Sequence, residues 1–141
     1  MQIFEALRLD HDKQRDLIKQ LTQTEGKSEQ RLSLYEILKQ QLNDHAVAEE
    51  RYFYVPLMKD DMTQEKSRHS IAEHHQLDEF IEQLDSTAMD SPQWLKIAKD
   101  LQHKLLHHLE EEEQQVFQLA GKVLSTEQKS ELALSYREQM R

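Results

Sequence analysis

His45-Ala46-Val47-Ala48-Glu49-Glu50 is answered 63 residues later by His108-Leu109-Glu110-Glu111-Glu112-Glu113. In each stretch a His precedes a Glu by four residues, and a second Glu stands directly behind. Residues four apart on an α-helix share a face, one turn apart. Each stretch therefore aims an imidazole and a carboxylate at one spot. Both lie in an apolar stripe: Leu38, Leu42, His45 and Glu49 in the first, Leu101, Leu105, His108 and Glu112 in the second. An ionised Glu at a core position is costly unless it is paired or bound to a cation. The two phrases predict a metal site inside a helical bundle.

The repeat reaches beyond the phrases. The same offset carries Asp10-His11 onto Glu73-His74, Ile18 and Leu21 onto Ile81 and Leu84, and Ser28 onto Ser91. No insertion interrupts it. The chain reads as two tandem helical hairpins, each supplying one lone His and one His-x-x-x-Glu pair.

Composition sets the surroundings. A length of 141 residues suits one domain with a real core. Only two Gly and two Pro occur, and Gln, Glu, Lys and Leu are prominent, a helix-forming mixture. The net charge of −9 argues against a nucleic-acid partner. No apolar run approaches a membrane span, and Met1 to Asp12 holds no signal-peptide core, so the expectation is a cytoplasmic protein away from membranes. With no Cys, disulfides and thiolate metal sites are excluded.

In chain order, a first helix is expected from Ile3 to Thr24, with Phe4, Leu7, His11, Ile18 and Leu21 on one face. Ser28 caps a second, running to about Met58 with a kink or stop at Pro56. Its Arg51 to Met58 stretch reads as aromatic core, with Tyr52 or Tyr54 as a hydrogen-bond donor near the site. Thr63 caps a third, whose inner face is Ile71, His74, Leu77, Ile81 and Leu84. His75 lies about 100° round from His74, towards a more polar side. Asp78, one turn after His74, is placed either in solvent or beside the site. Ser91-Pro92 opens a fourth helix ending at Ala120, with Gly121 just beyond it. His69, His103 and His107 read as surface residues, and Glu50 as surface or as support for a ligand. Ser125-x-x-Gln128 opens a shorter fifth helix with Leu132, Leu134 and Tyr136 on a weak apolar face. It has no counterpart in the repeat. The expected architecture is all-α: a four-helix bundle over residues 1–122 and a C-terminal helical extension over 123–141, packed on or beside it.

The inward set is His11, His45, Glu49, His74, His108 and Glu112. Six protein ligands exceed what one tetrahedral zinc takes. Two metals bridged by both carboxylates, with two His each, leave room for a bridging oxygen and exogenous ligands. Mixed nitrogen and oxygen donors suit iron, while zinc and manganese also fit. The rival is a metal-free bundle in which these side chains satisfy one another, a costly core.

These residues resemble the hemerythrin-like, HHE cation-binding domains. The resemblance rests on Asp10-His11, on His45-x-x-x-Glu49-Glu50 leading to Phe53-Tyr54-x-Pro56, on Glu73-His74, and on His108-x-x-x-Glu112-Glu113 leading to Phe117. It implies an up-down-up-down bundle holding a non-haem di-iron centre, with His11, His45, Glu49, His74, His108 and Glu112 as iron ligands. Oxygen-carrying hemerythrins have a further His one turn after the third-helix His. Here Asp78 stands in that place, which counts against reversible oxygen carriage. The resulting expectation is a di-iron protein that meets dioxygen, nitric oxide or peroxide in sensing, scavenging or storage, a binding protein more than a dedicated enzyme. The alternatives are a peroxidase or catalase-like di-iron enzyme, and an iron or zinc binder without oxygen chemistry.

Overall fold

A computed structural model describes residues 1–141, all of them helix or short connection. Helix α1 spans Ile3–Leu21. It stops three residues earlier than the hydrophobic pattern allows, because Thr22 to Ser28 turn through Gly26, whose φ of 60° favours glycine. Helix α2 spans Glu29–Glu49, and the Ser28 hydroxyl caps it by accepting from the Arg31 amide. The helix continues through a π-helical turn, Glu50–Tyr54, to Val55–Leu57. Helix α3 spans Gln64–Asp85. Thr63 stands at its N-cap position but does not cap it, since its hydroxyl donates to the Leu57 carbonyl instead. Helix α4 spans Pro92–Glu111 behind a Ser91 cap, and runs on through a second π turn, Glu112–Val116, to Phe117–Val123. Gly121 is thus inside the helix rather than beyond it. Helix α5 spans Thr126–Met140 and opens with the expected Ser125–Gln128 capping box.

The two π turns are the departures from regular helix. A π turn holds one residue more than an α turn, so it rotates everything after it. Each begins at or just after the Glu of a His-x-x-x-Glu pair. Each buries two successive large residues, Phe53 with Tyr54 and Val116 with Phe117. A regular helix would send one member of each couple outward. Pro56 follows the first turn, but the second has no proline. The feature common to both is the repeated Glu, not the Pro.

Helix α1 packs on α2, α3 on α4, and α1 also on α4; α5 lies along α1 and α2. Two apolar cores form. One, around Ile18, Leu21, Leu38, Leu84, Trp94 and Leu101, fills the end of the bundle where the hairpin turns lie. The other, around Ile3, Leu7, Phe53, Leu57, Phe117 and Ala133, fills the opposite end beneath α5. On α5 the buried residues are Ala133 and Tyr136, and the expected Leu134 is exposed. Between the two cores lies a buried layer of His and Glu. Each buried Leu or Ile contributes roughly 1.5–3 kcal/mol, so the flanking cores offset the cost of that polar layer.

Candidate metal centre

The four helices each bring their expected residues into the polar layer: His11 from α1, His45 and Glu49 from α2, His74 from α3, His108 and Glu112 from α4. All six are buried. They form two overlapping groups in which the ligand atoms lie within 4.8 Å of one another. His11, His45, Glu49 and Glu112 make one, and Glu49, His74, His108 and Glu112 the other. Both carboxylates belong to both groups. The halves match in geometry as in spelling: the His11 and His45 ring centroids are 5.1 Å apart, and so are those of His74 and His108.

The outer nitrogen of every ring is held. His11 Nδ1 donates to Glu113 Oε2 at 2.7 Å, and Arg15 braces that carboxylate at 2.9 Å. His74 Nδ1 donates to Glu50 Oε2 at 2.8 Å. His108 Nδ1 donates to Glu73 Oε1 at 2.8 Å, with Lys104 on the other oxygen at 2.8 Å. His45 Nδ1 donates to the Tyr136 hydroxyl at 2.6 Å, which in turn donates to Asp10 Oδ2 at 2.5 Å. Gln41 donates to the remaining Asp10 oxygen at 2.9 Å. Anchoring Nδ1 in this way leaves each Nε2 facing the centre, which is how metal-binding imidazoles are oriented.

The inner atoms face one another, His11 Nε2 3.0 Å from Glu112 Oε1 and His74 Nε2 3.1 Å from Glu49 Oε1, as charge contacts without hydrogen-bond geometry. His11 Nε2, His45 Nε2, His74 Nε2, both oxygens of Glu49 and Glu112 Oε1 are buried without a hydrogen-bond partner. Buried polar atoms are normally paired, so six orphans facing one small space point to a missing partner. Their ionisation says what kind. Burial works to lower His11 and His74, but Glu112, Glu113, Glu49 and Glu50 outweigh it. His11 is held well above its ordinary pKa and His74 is raised to about 10. Burial works to raise Glu49, yet its imidazole neighbours hold it well below the carboxylate range. Burial and the nearby Glu49 raise Glu112. The carboxylates thus draw positive charge into the layer, and protons take the place a cation would fill. The donor set and the orphaned atoms fit bound metal.

The structure decides roles that the sequence left open for Tyr54 and Glu50 and adds others it did not assign. Tyr54 donates to Glu112 Oε2, which selects it over Tyr52 as the hydroxyl at the site. Phe117 stacks on His11 at 5.9 Å between centroids. Glu50 and Glu113 hold rings from the opposite hairpin, and the adjacent-Glu spelling of both phrases was the available signal. The sequence places Tyr136 only on a weak apolar face, with no signal of a contact to the ring. Asp78 and His75 are exposed and stand outside both groups. Asp78 instead edges a cavity of about 10 Å³ against the layer, lined also by Gln14, His45, His74, His108 and Leu77. His69, His103 and His107 lie on the surface as expected.

Among solved structures the chain is similar to a hemerythrin HHE cation binding domain-containing protein from Mycobacterium kansasii. The two share 21% identity over 99% of this chain and 85% of that one, with a TM-score of 0.89, so they share a fold. No curated protein sequence matches the chain. A family model, the hemerythrin HHE cation binding domain, matches residues 2–120. With that match and the ring of inward His and Glu, the chain belongs to the hemerythrin HHE cation binding domain family.

Proposed function

We propose that the protein binds two iron ions, one at His11 and His45 and one at His74 and His108, with Glu49 and Glu112 shared. They serve to bind or react with dioxygen, nitric oxide or peroxide, in sensing, scavenging or storage. The observation that carries this reading is the ring of buried imidazole nitrogens and carboxylate oxygens that converge on one small space, six of them without a hydrogen bond. Two ions sharing both carboxylates use every inward donor, where one tetrahedral ion would strand some of them. Zinc and manganese fit the same donors, but mixed imidazole and carboxylate ligation with open positions suits iron. When bound, two irons supply open coordination positions and a change of oxidation state.

The chain's own residues supply the remainder. Glu113, Glu50, Glu73 and Tyr136 fix the four rings, so the site is built before any ion arrives. Tyr54 orients Glu112 and holds a proton on its hydroxyl at the ring. Phe4, Phe53 and Phe117 pack edge to face or tilted at 5.2–6.1 Å and close one side to water. On another side the cavity of about 10 Å³ touches His45, His74 and His108. Its size is about that of a single water at the edge of the layer.

The test is elemental analysis of untagged protein, followed by spectra of the anaerobically reduced form on exposure to oxygen, nitric oxide and peroxide. Two irons per chain and a spectral change support the reading. Iron loading with no response to any of the three leaves a metal binder without oxygen chemistry. No iron uptake overturns it. A second reading, a peroxidase or catalase-like enzyme, is favoured by one observation: the Tyr54 hydroxyl is a proton carrier on a ring carboxylate. Peroxide turnover lost in His45→Ala and slowed in Tyr54→Phe would select it.

A further inference from the structure

The spelling His-x-x-x-Glu occurs on two more stretches of the chain that face each other. His69-Ser70-Ile71-Ala72-Glu73 lies on α3 and His107-His108-Leu109-Glu110-Glu111 on α4. Helical spacing puts each His over its Glu, and α3 and α4 are packed neighbours. We propose that His69, Glu73, His107 and Glu111 form a second, outer cation site in the α3–α4 seam, taking a first-row divalent transition-metal ion.

The ligand atoms of His69, Glu73 and Glu111 lie within 4.8 Å of one another, as those of the buried groups do. His69 Nε2 is 3.2 Å from Glu111 Oε1 and 3.6 Å from Glu73 Oε2. His107 Nδ1 is 3.6 Å from the other Glu111 oxygen. Contacts of 3.6 Å are not hydrogen bonds. His69, Glu73 and Glu111 converge, and His107 stands beside Glu111 at the edge of that group, one side-chain rotation from joining it. Two imidazoles and two carboxylates suit zinc, cobalt, nickel or ferrous iron over magnesium or calcium. Both His side chains are more than half exposed, at 56% and 63%, so an ion there exchanges with solvent and keeps water ligands. Lys104 competes for the site, with Nζ 2.8 Å from Glu73 Oε2. Glu73 links the outer site to the buried one, because its other oxygen holds His108.

The experiment is equilibrium dialysis of the untagged full chain against Co²⁺, with metal counted per chain and cobalt absorption recorded. Wild type should bind one Co²⁺ more than the His69→Ala/His107→Ala chain. A Glu49→Gln/Glu112→Gln chain should keep one Co²⁺, and lose it when the two outer His are also replaced. Equal uptake and equal spectra with and without His69 and His107 would overturn the proposal. The wild-type comparison changes only exposed residues, so it decides the matter even where the buried double variant does not fold. The buried reading fails separately, when Glu49→Gln/Glu112→Gln binds as much as wild type.

Discussion

The hairpin of α1 and α2 and the hairpin of α3 and α4 place the same ligands at the same offset, yet they support them differently. Glu50 and Glu113 are equivalent and each reaches across to the other hairpin's lone His, at 2.8 and 2.7 Å. Asp10 and Glu73 are also equivalent, but only Glu73 touches its ring directly. Asp is one methylene shorter, and Tyr136 from α5 fills the interval between Asp10 and His45. Tyr54 donates to Glu112, while its equivalent Phe117 has no hydroxyl to offer Glu49. The first turns of α1 bury Ile3, Ala6 and Leu7 near α5, where the equivalent stretch of α3 buries only Ser67 and Ser70. A duplicated ligand ring has thus been given two unlike shells. In this chain α5 belongs to the site, because one imidazole is oriented through it.

The comparison rests first on the two shared carboxylates. Glu49→Gln or Glu112→Gln removes a charge from both positions in the buried layer and should abolish stoichiometric iron binding there, whatever the outer seam takes. Glu50→Gln or Glu113→Gln should weaken it about 10–100-fold, the usual effect of an outer partner. With metal at 100 times its dissociation constant, wild type should gain about 2.7 kcal/mol of stability, and the Glu49 and Glu112 variants none. Metal content after dialysis and thermal melts with and without iron measure both. Equal losses in all four variants would break the distinction between ring and support.

The ring was legible because His and Glu at i, i+4 recur at one offset inside apolar stripes, a pattern that needs no long-range knowledge. Asp10 and Glu73 were legible as register matches, though not as unequal partners. Tyr136 was not, since its partner Asp10 lies 126 residues away and nothing in the repeat calls for it. The π turns were hidden too, because reading a face from the sequence assumes one constant helical period, which both turns break. That assumption also left Tyr52 and Tyr54 undivided.

Away from the ring, Arg31 and Trp94 occupy equivalent positions and pack on each other, guanidinium over indole at 4.9 Å. Arg31 is buried and donates to Thr24 Oγ1, the Thr24 carbonyl and the Met89 carbonyl, joining the turns of both hairpins. Arg31→Met keeps much of the volume but strips those acceptors of their donor. We expect a loss of about 3 kcal/mol in chemical denaturation, with metal binding unchanged. A loss below about 1 kcal/mol would mean that the indole contact alone joins the turns.

Tyr136→Phe tests the unlike shells directly. The ring stays and the hydroxyl goes, so His45 Nδ1 loses its partner while His108 keeps Glu73. One of the two ions should bind about 10–100-fold more weakly and the other as before, giving a biphasic titration. Glu73→Gln should weaken the opposite ion instead. A uniform loss of both ions in either variant would show that the ring behaves as one unit, and the asymmetry of its support would then have no consequence for binding.

The smallest effect concerns a tie that bridges the two hairpins on one side only. Tyr35 donates to Asp85 Oδ1 at 2.5 Å and Lys39 to Oδ2 at 2.6 Å, from α2 to the end of α3. The repeat places Ala98, Thr22 and Gln102 at the equivalent positions, so nothing mirrors it. Burial works to raise Asp85, but Lys39 and Tyr35 outweigh it and hold the carboxyl below its ordinary value. A carboxyl lowered in the folded state stabilises above the unfolded pKa of about 3.9, and that contribution is lost as pH falls through the folded value. Lys39 and Asp85 are 48% and 40% exposed, so the pair is screened and worth less than about 1 kcal/mol. Asp85→Asn should therefore cost a few tenths of a kcal/mol at pH 7, with the difference from wild type flat while pH stays well above the unfolded value and vanishing once pH has fallen through the lowered folded one. A difference that persisted into acid would assign the effect to the Tyr35 hydrogen bond rather than to charge, and would make this one-sided tie a packing feature.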